Sequence, residues 1–168
     1  GTSVLIKQAY QNGVKEFAED SSGNAGASMS AYAANIGIKA HIFTPSSTPD
    51  NKKNQIKIFG SKLHLIDGPR ENSTIEVKKF TKSSGITYLS HNYNPFFIEG
   101  MKSFGDEVFN EFGPSITDIV IPVGNGSLLI GVKKAYEEMI NLKKISKIPK
   151  IHCVQVEGFS PIAVSYTH

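Results

Sequence analysis

Glu19-Asp20-Ser21-Ser22-Gly23-Asn24-Ala25-Gly26-Ala27-Ser28 decides how this chain is read, because a strand breaks there into serines, glycine and asparagine just as a small-residue helix begins. A helix start offers unpaired backbone N–H groups and the positive end of a macrodipole. Ser21 and Ser22 add hydroxyls, and Gly23 allows a ligand to approach the backbone closely. Nothing apolar accounts for the composition of the segment. The physical expectation is an anion site at the end of a strand.

Working outward, strand-length apolar runs alternate with helical stretches, in the order αβαβαβαβαβαβ. Helices are predicted over 2–12, 24–36, the residues after Pro49 as far as Phe59, 72–83, and from about 95 to 111. Strands are predicted over 14–18, 38–43, 63–66, 86–89, 116–123 and 151–156. The helix over 24–36 carries Ala25, Ala27, Ala31, Ala33 and Ala34 and should lie unusually close to a sheet. In 116–123, Ile119, Val120, Ile121 and Val123 do not alternate with polar residues, which predicts a strand covered on both faces. Residues 151–156 read the same way. Alternating strands and helices argue for an α/β fold with parallel sheets and right-handed crossovers in a three-layer αβα arrangement, with ligands at the carboxyl ends of the strands.

A second glycine-rich loop, Gly124-Asn125-Gly126-Ser127, lies at such an end and opens a helix bearing Leu129, Val132, Tyr136 and Met139 on one stripe. It fails two nucleotide motifs. Leu129 stands where the dinucleotide fingerprint needs its third glycine, and Val132-Lys133 follows Gly131 where a P-loop needs Lys and then Ser or Thr. What remains is a loop suited to a single phosphate. The plain alternative for either loop is a tight strand-to-helix turn; two in one chain, each with asparagine beside glycine, favour binding.

Composition excludes several classes. With 168 residues, 39% hydrophobic and 20% charged, the chain can bury a real core. A net charge of +3, spread along the chain, argues against nucleic acid as a partner. The single Cys153 rules out an internal disulfide framework, and no apolar run has membrane-spanning length. Without a signal peptide, a cytoplasmic enzyme is the expectation.

Three segments resemble the pyridoxal-phosphate enzymes of the tryptophan-synthase-β fold type, and within them the threonine-synthase branch. They are Ser21-Ser22-Gly23-Asn24-Ala25-Gly26-Ala27-Ser28, Asn94-Pro95-Phe96-Phe97-Ile98-Glu99-Gly100-Met101-Lys102-Ser103 and Pro122-Val123-Gly124-Asn125-Gly126-Ser127-Leu128-Leu129. Their order and spacing also match across the whole chain. The resemblance implies pyridoxal 5'-phosphate as cofactor. Asn24 would bond its ring hydroxyl oxygen; Gly124, Asn125, Gly126, Ser127 and Leu128 would cradle its phosphate; Ser21, Ser22, Asn24 and Ala25 would hold a substrate α-carboxylate. It further implies a lyase of threonine biosynthesis that converts O-phosphohomoserine, a small phosphorylated amino acid, and water to threonine and phosphate, in a homodimer. A threonine or serine dehydratase, a cysteine-synthase-type β-replacement enzyme and a non-catalytic phosphate-ligand module are the alternatives.

The family also needs a Schiff-base lysine in a Lys-Asp-Arg-Gly-type motif, and Gly1-Thr2-Ser3 resembles the tail of that motif. No catalytic residue is therefore expected within this chain. It reads as a fragment, inactive alone, with residues 1–18 and 96–168 belonging to a cofactor domain and 19–95 to a mobile substrate domain. The chain closes on Tyr166-Thr167-His168, before the region that faces the pyridine nitrogen.

Other reactive side chains are expected to be structural. His41, His64 and His152 lie in predicted strands as satisfied histidines, and His91 has no carboxylate nearby in sequence. No metal-ligand spacing occurs. Cys153 should be a small buried hydrophobe. Lys7, Lys52, Lys53, Lys57 and Lys62 read as solvated, as do Lys143, Lys144, Lys147 and Lys150. Glu99 and Lys102, one helical turn apart, should pair on the surface.

Overall fold

The computed structural model describes residues 1–21, 23–158, 160, 162 and 163. The chain forms two compact units, Gly1–Phe96 and Phe97–His168. In the first, α1 (Thr2–Gln11) precedes β1 (Glu16–Asp20), α2 (Asn24–Ile36), β2 (Lys39–Pro45), α3 (Asp50–Ile58), β3 (Lys62–Ile66), α4 (Arg70–Ser84) and β4 (Thr87–Tyr88). The four strands make one parallel sheet in the order β3-β2-β1-β4. Neighbours on both sides make β1 an interior strand, and Phe17, Ala18, Glu19 and Asp20 are all buried.

The alanine-rich helix lies as close to the sheet as its sequence predicts. A Cβ added at Gly26 would sit 3.1 Å from Ile42 Cγ2 and 3.3 Å from Ile56 Cδ1, so no larger residue fits between α2, β2 and α3 without displacing them. Ile42 is the register partner of Glu19, which places Glu19 on the α2 face of the sheet. The opposite face carries Ala18 and Phe43 against Val77 of α4.

In the second unit, α5 (Pro95–Phe112, its first two residues still in the first unit) and a 3-10 turn (Gly113–Ser115) lead to β5 (Asp118–Pro122), α6 (Ser127–Asn141) and β6 (Lys150–Val154), with β5 and β6 parallel. The stripe on α6 makes the core. Val132, Tyr136 and Met139 are buried against Ile119, Ile121 and Val123, each side chain contributing roughly 1.5–3 kcal/mol of transfer free energy. The expectation that residues 116–123 are covered on both faces fails. Burial along β5 alternates, and Val120 is 68% exposed. Helices cover only one face of this two-stranded sheet among the described residues, so the run of apolar residues did not report two-sided cover. Cys153, expected to be buried, is exposed on β6, although its register partner Ile121 is buried.

The helix over 24–36 falls where predicted, whereas the first strand lies two residues later than expected and β4 shrinks to Thr87–Tyr88. His41 is satisfied on both ring nitrogens, 2.7 Å from Glu16 Oε1 and 2.9 Å from His64 Nε2. His152 pairs with Asp118 at 2.7 Å. No helix among the described residues is long and apolar enough to cross a membrane.

Candidate functional site

Both predicted loops follow strands at their carboxyl ends, one in each compact unit. In the first, Ser21 is buried and its Oγ accepts the backbone N–H of Gly26 at 2.9 Å and of Gly23 at 3.3 Å. That oxygen does the work of an N-cap. It leaves the N–H groups of Asn24 and Ala25, at the first two helical positions of α2, without intrahelical acceptors. Ser22, named with them from the sequence, lies outside the described residues. Asn24 is exposed, and its Oδ1 accepts a hydrogen bond from Lys52 Nζ at 2.6 Å. Lys52, expected as a solvated residue, is thus a cation at the loop. Its helical spacing carried no signal for a contact 28 residues away.

In the second unit, Gly126 caps α6 with φ 88°, a left-handed conformation that favours glycine. Asn125 Oδ1 accepts both the backbone N–H of Ser127 at 3.1 Å and its Oγ–H at 2.9 Å. This folds the loop back on itself. The N–H groups of Leu128 and Leu129 remain without intrahelical acceptors, and Gly124 has open space where a side chain would stand.

α2 and α6 carry no acidic residue in their first turns, a feature they share with α1 and α5, whereas α3 and α4 begin with Asp50 and Glu71, which complement the macrodipole. Two uncompensated helix starts, lined by donors and free of carboxylates, fit a phosphate and a carboxylate. The second loop accordingly has the donor set and open space that the phosphate of pyridoxal 5'-phosphate needs.

Beneath the first loop lies a polar network that no local motif announced. Asp20, immediately before Ser21, bonds Arg70 Nη2 at 2.9 Å, Thr74 Oγ1 at 2.6 Å and the Tyr88 hydroxyl. Burial pushes its carboxyl up, but the bonds from Thr74, Tyr88 and Arg70 and the guanidinium charge outweigh this and hold it below the ordinary value. Tyr88 is raised in turn by burial and by its bond to Asp20. Asp20→Ala is expected to cost about 3 kcal/mol in urea unfolding at pH 7, the low end for a broken buried pair because Arg70 keeps partial solvent access. Since the folded-state pKa is depressed, this contribution is present above 3.8 and lost in stronger acid, so the penalty should shrink there.

Glu19 is 0% exposed and contacts His91 Nδ1 across 72 residues of sequence. His91 has no carboxylate nearby in sequence, and it meets this one because β1 and β4 stand side by side. Burial pushes the Glu19 carboxyl up to about 7, against the opposing bond from His91. Its stabilising effect is therefore fully present below 4.5 and lost as pH rises through about 7. In the second unit Lys102 Nζ lies 2.6 Å from Glu99 Oε2 and 2.7 Å from Glu138 Oε1, and Lys134 also pairs with Glu99. This confirms surface pairing and ties α5 to α6.

The chain belongs to the pyridoxal-phosphate-dependent enzyme family, whose model matches residues 1–168. Its two parallel sheets are thus the fold of a chain in that family. Among particular relatives, threonine synthase of Methanocaldococcus jannaschii is 28% identical over 168 residues, covering 99% of this chain and 41% of the relative. Human serine racemase is 31% identical over 129 residues, 76% of this chain and 37% of that protein. Among solved structures, processed threonine deaminase isoform 2 from Solanum lycopersicum superimposes with TM-score 0.85 at 20% identity, over 99% of this chain and 47% of its own, a likeness of fold. A hydrogen sulfide-producing enzyme solved with an alpha-aminoacrylate intermediate gives 0.81 at 26% identity, over 98% and 51%. The chain spans less than half the length of the curated relatives it matches.

Proposed function

We propose that the whole protein containing this chain is a threonine synthase, releasing phosphate from O-phosphohomoserine and adding water to give threonine. The observation that carries this reading is the first loop, where a donor-only helix start and the Lys52 ammonium stand together, as a substrate with a carboxylate and a second anionic group requires. Threonine synthases from several organisms, 26–29% identical over 96–99% of this chain, support it.

When bound, the cofactor supplies an electron sink for carbanions at substrate carbons. The roles of this chain are to bind and orient. Gly124, Asn125, Gly126, Ser127 and Leu128 hold the phosphate of the cofactor, and Asn24 its ring hydroxyl. The N–H groups of Asn24 and Ala25, with the hydroxyls of Ser21 and Ser22, hold the substrate carboxylate and fix which bond faces the cofactor. In this reading the substrate domain is the compact unit Gly1–Phe96, in which residues 1–18, given from the sequence to the cofactor domain, pack with 19–95; Phe97–His168 belongs to the cofactor domain of a cytoplasmic dimer, and the lysine bearing the cofactor lies outside residues 1–168.

The test supplies the cofactor-loaded whole protein with O-phosphohomoserine, L-threonine, L-serine and O-acetylserine in turn. Phosphate and threonine formed in equal amounts from the first are expected. Turnover of the others alone would assign a dehydratase or β-replacement enzyme, a reading favoured by the identity to serine racemase. Borohydride treatment and peptide mapping are expected to fix the cofactor outside residues 1–168. Attachment at Lys52, the lysine that touches Asn24, would overturn that part.

A further inference from the structure

We propose that Glu19 and His91 form a proton-binding pair coupled to the substrate loop, so that an amino-acid carboxylate binds there with uptake of a proton by the pair. This rests on the reading of residues 21–25 as a carboxylate clamp.

The placement comes from the sheet. β1 leaves through α2 toward β2 on one side, while β4 arrives from β3 through α4 on the other. The boundary between β1 and β4 is therefore the point where the connections diverge, and parallel sheets open their ligand crevice there, at the carboxyl ends of the strands. Ser21 follows one of those strands and His91 the other. Glu19 joins them, contacting His91 and standing two residues, about 7 Å along the strand, before Ser21.

Its surroundings make the proton matter. Glu19 is fully buried, and its Oε2 has no hydrogen-bond partner among the described residues. α2, which covers this face, contributes no charged side chain. The groups acting on it are Asp20 on β1, His91 after β4, Tyr88 on β4 and, through Asp20, Arg70 on α4. Arg70 is committed to Asp20. With one proton on the pair, the charge of Glu19 is cancelled, either as a neutral acid or by an imidazolium. Without it, a net negative charge lies behind a loop that must accept an anion. At about 7 Å and an effective dielectric near 20, two unit charges shift an equilibrium by tens-fold, reduced to about tenfold by solvent at the loop. Proton and carboxylate therefore favour each other's binding, and by linkage the effect is reciprocal.

The elevated carboxyl of Glu19, near 7, sets the range in which this is seen. The experiment titrates the cofactor-loaded whole protein with L-2-aminobutyrate, which has the α-carboxylate and no leaving group, by calorimetry at pH 6 to 8 in two buffers of different ionisation enthalpy. Affinity about fivefold weaker at pH 8 than at pH 6 is expected, with proton uptake between pH 7 and 8. Glu19→Gln should keep the pH 6 affinity, lose the excess proton uptake and flatten the profile. His91→Gln, which keeps a donor but does not titrate, gives the second comparison, and thermal melting checks that both variants fold. Binding with the same proton uptake and slope in wild type and both variants would overturn the coupling and leave the proposed function standing. No binding of L-2-aminobutyrate at any pH, together with no turnover of O-phosphohomoserine, would overturn both.

Discussion

Replacing Ser127 by aspartate is expected to weaken pyridoxal 5'-phosphate binding by the whole protein by about a hundredfold, while making the cofactor-free protein slightly more stable. Ser127 is the first residue of α6, a helix with no acidic residue in its first turn. A carboxylate there meets the helix dipole favourably, by about 0.5 kcal/mol. Facing a phosphate dianion across the same loop it is repelled by several times that amount even at surface dielectric, which dominates. Ser127→Ala removes only the hydroxyl bond to Asn125 and should cost a few-fold at most. Cofactor titration by absorbance, paired with thermal unfolding of the cofactor-free variants, reads both effects. A variant that lost affinity and stability together would indicate a damaged fold, and one that kept its affinity would place the phosphate elsewhere.

The second large effect is structural. Gly131→Ala is expected to destabilise the second unit by about 2–3 kcal/mol in urea unfolding, although alanine is the better helix former by about 1 kcal/mol. A Cβ at Gly131 would lie 2.5 Å from Met101 Cβ, 2.8 Å from Met101 C and 3.0 Å from Met101 O. Two of those atoms are backbone, so relief requires α5 to move away from α6, and overpacking of this kind outweighs propensity. Gly105 makes the same contact from the other helix, its added Cβ falling 2.7 Å from Ala135 Cβ. Gly124→Ala, with open space around it, should change stability by less than about 0.5 kcal/mol. An unchanged or raised stability in Gly131→Ala would show that the helices do not cross this closely.

Local pattern carried much of this molecule. The alternation of apolar runs and helical stretches predicted all twelve elements in order, since a period of two or of 3.6 reflects which face of an element leaves water. The α6 stripe was read correctly because three of its members meet one sheet face. The two loops were legible because serine, glycine and asparagine at a strand-to-helix junction have few other physical reasons to be there. Their likeness to cofactor enzymes agrees with the family to which the chain belongs.

Tertiary structure decided the rest. Whether β5 is covered once or twice depends on which elements reach it, and an unbroken apolar run is compatible with either; Val120 stands on the uncovered face on that account. The pairing of Glu19 with His91, of Asp20 with Arg70, Thr74 and Tyr88, and of Lys52 with Asn24 joins residues 28 to 72 apart in sequence. These contacts exist because β4 enters the sheet beside β1 instead of beside β3 and because α3 folds back toward the start of α2. Strand order is a choice among long-range pairings of similar local preference. The sequence by itself therefore determined the elements and the place of the two serine- and glycine-rich loops, and the order of the strands determined which buried charges stand beneath the first of them.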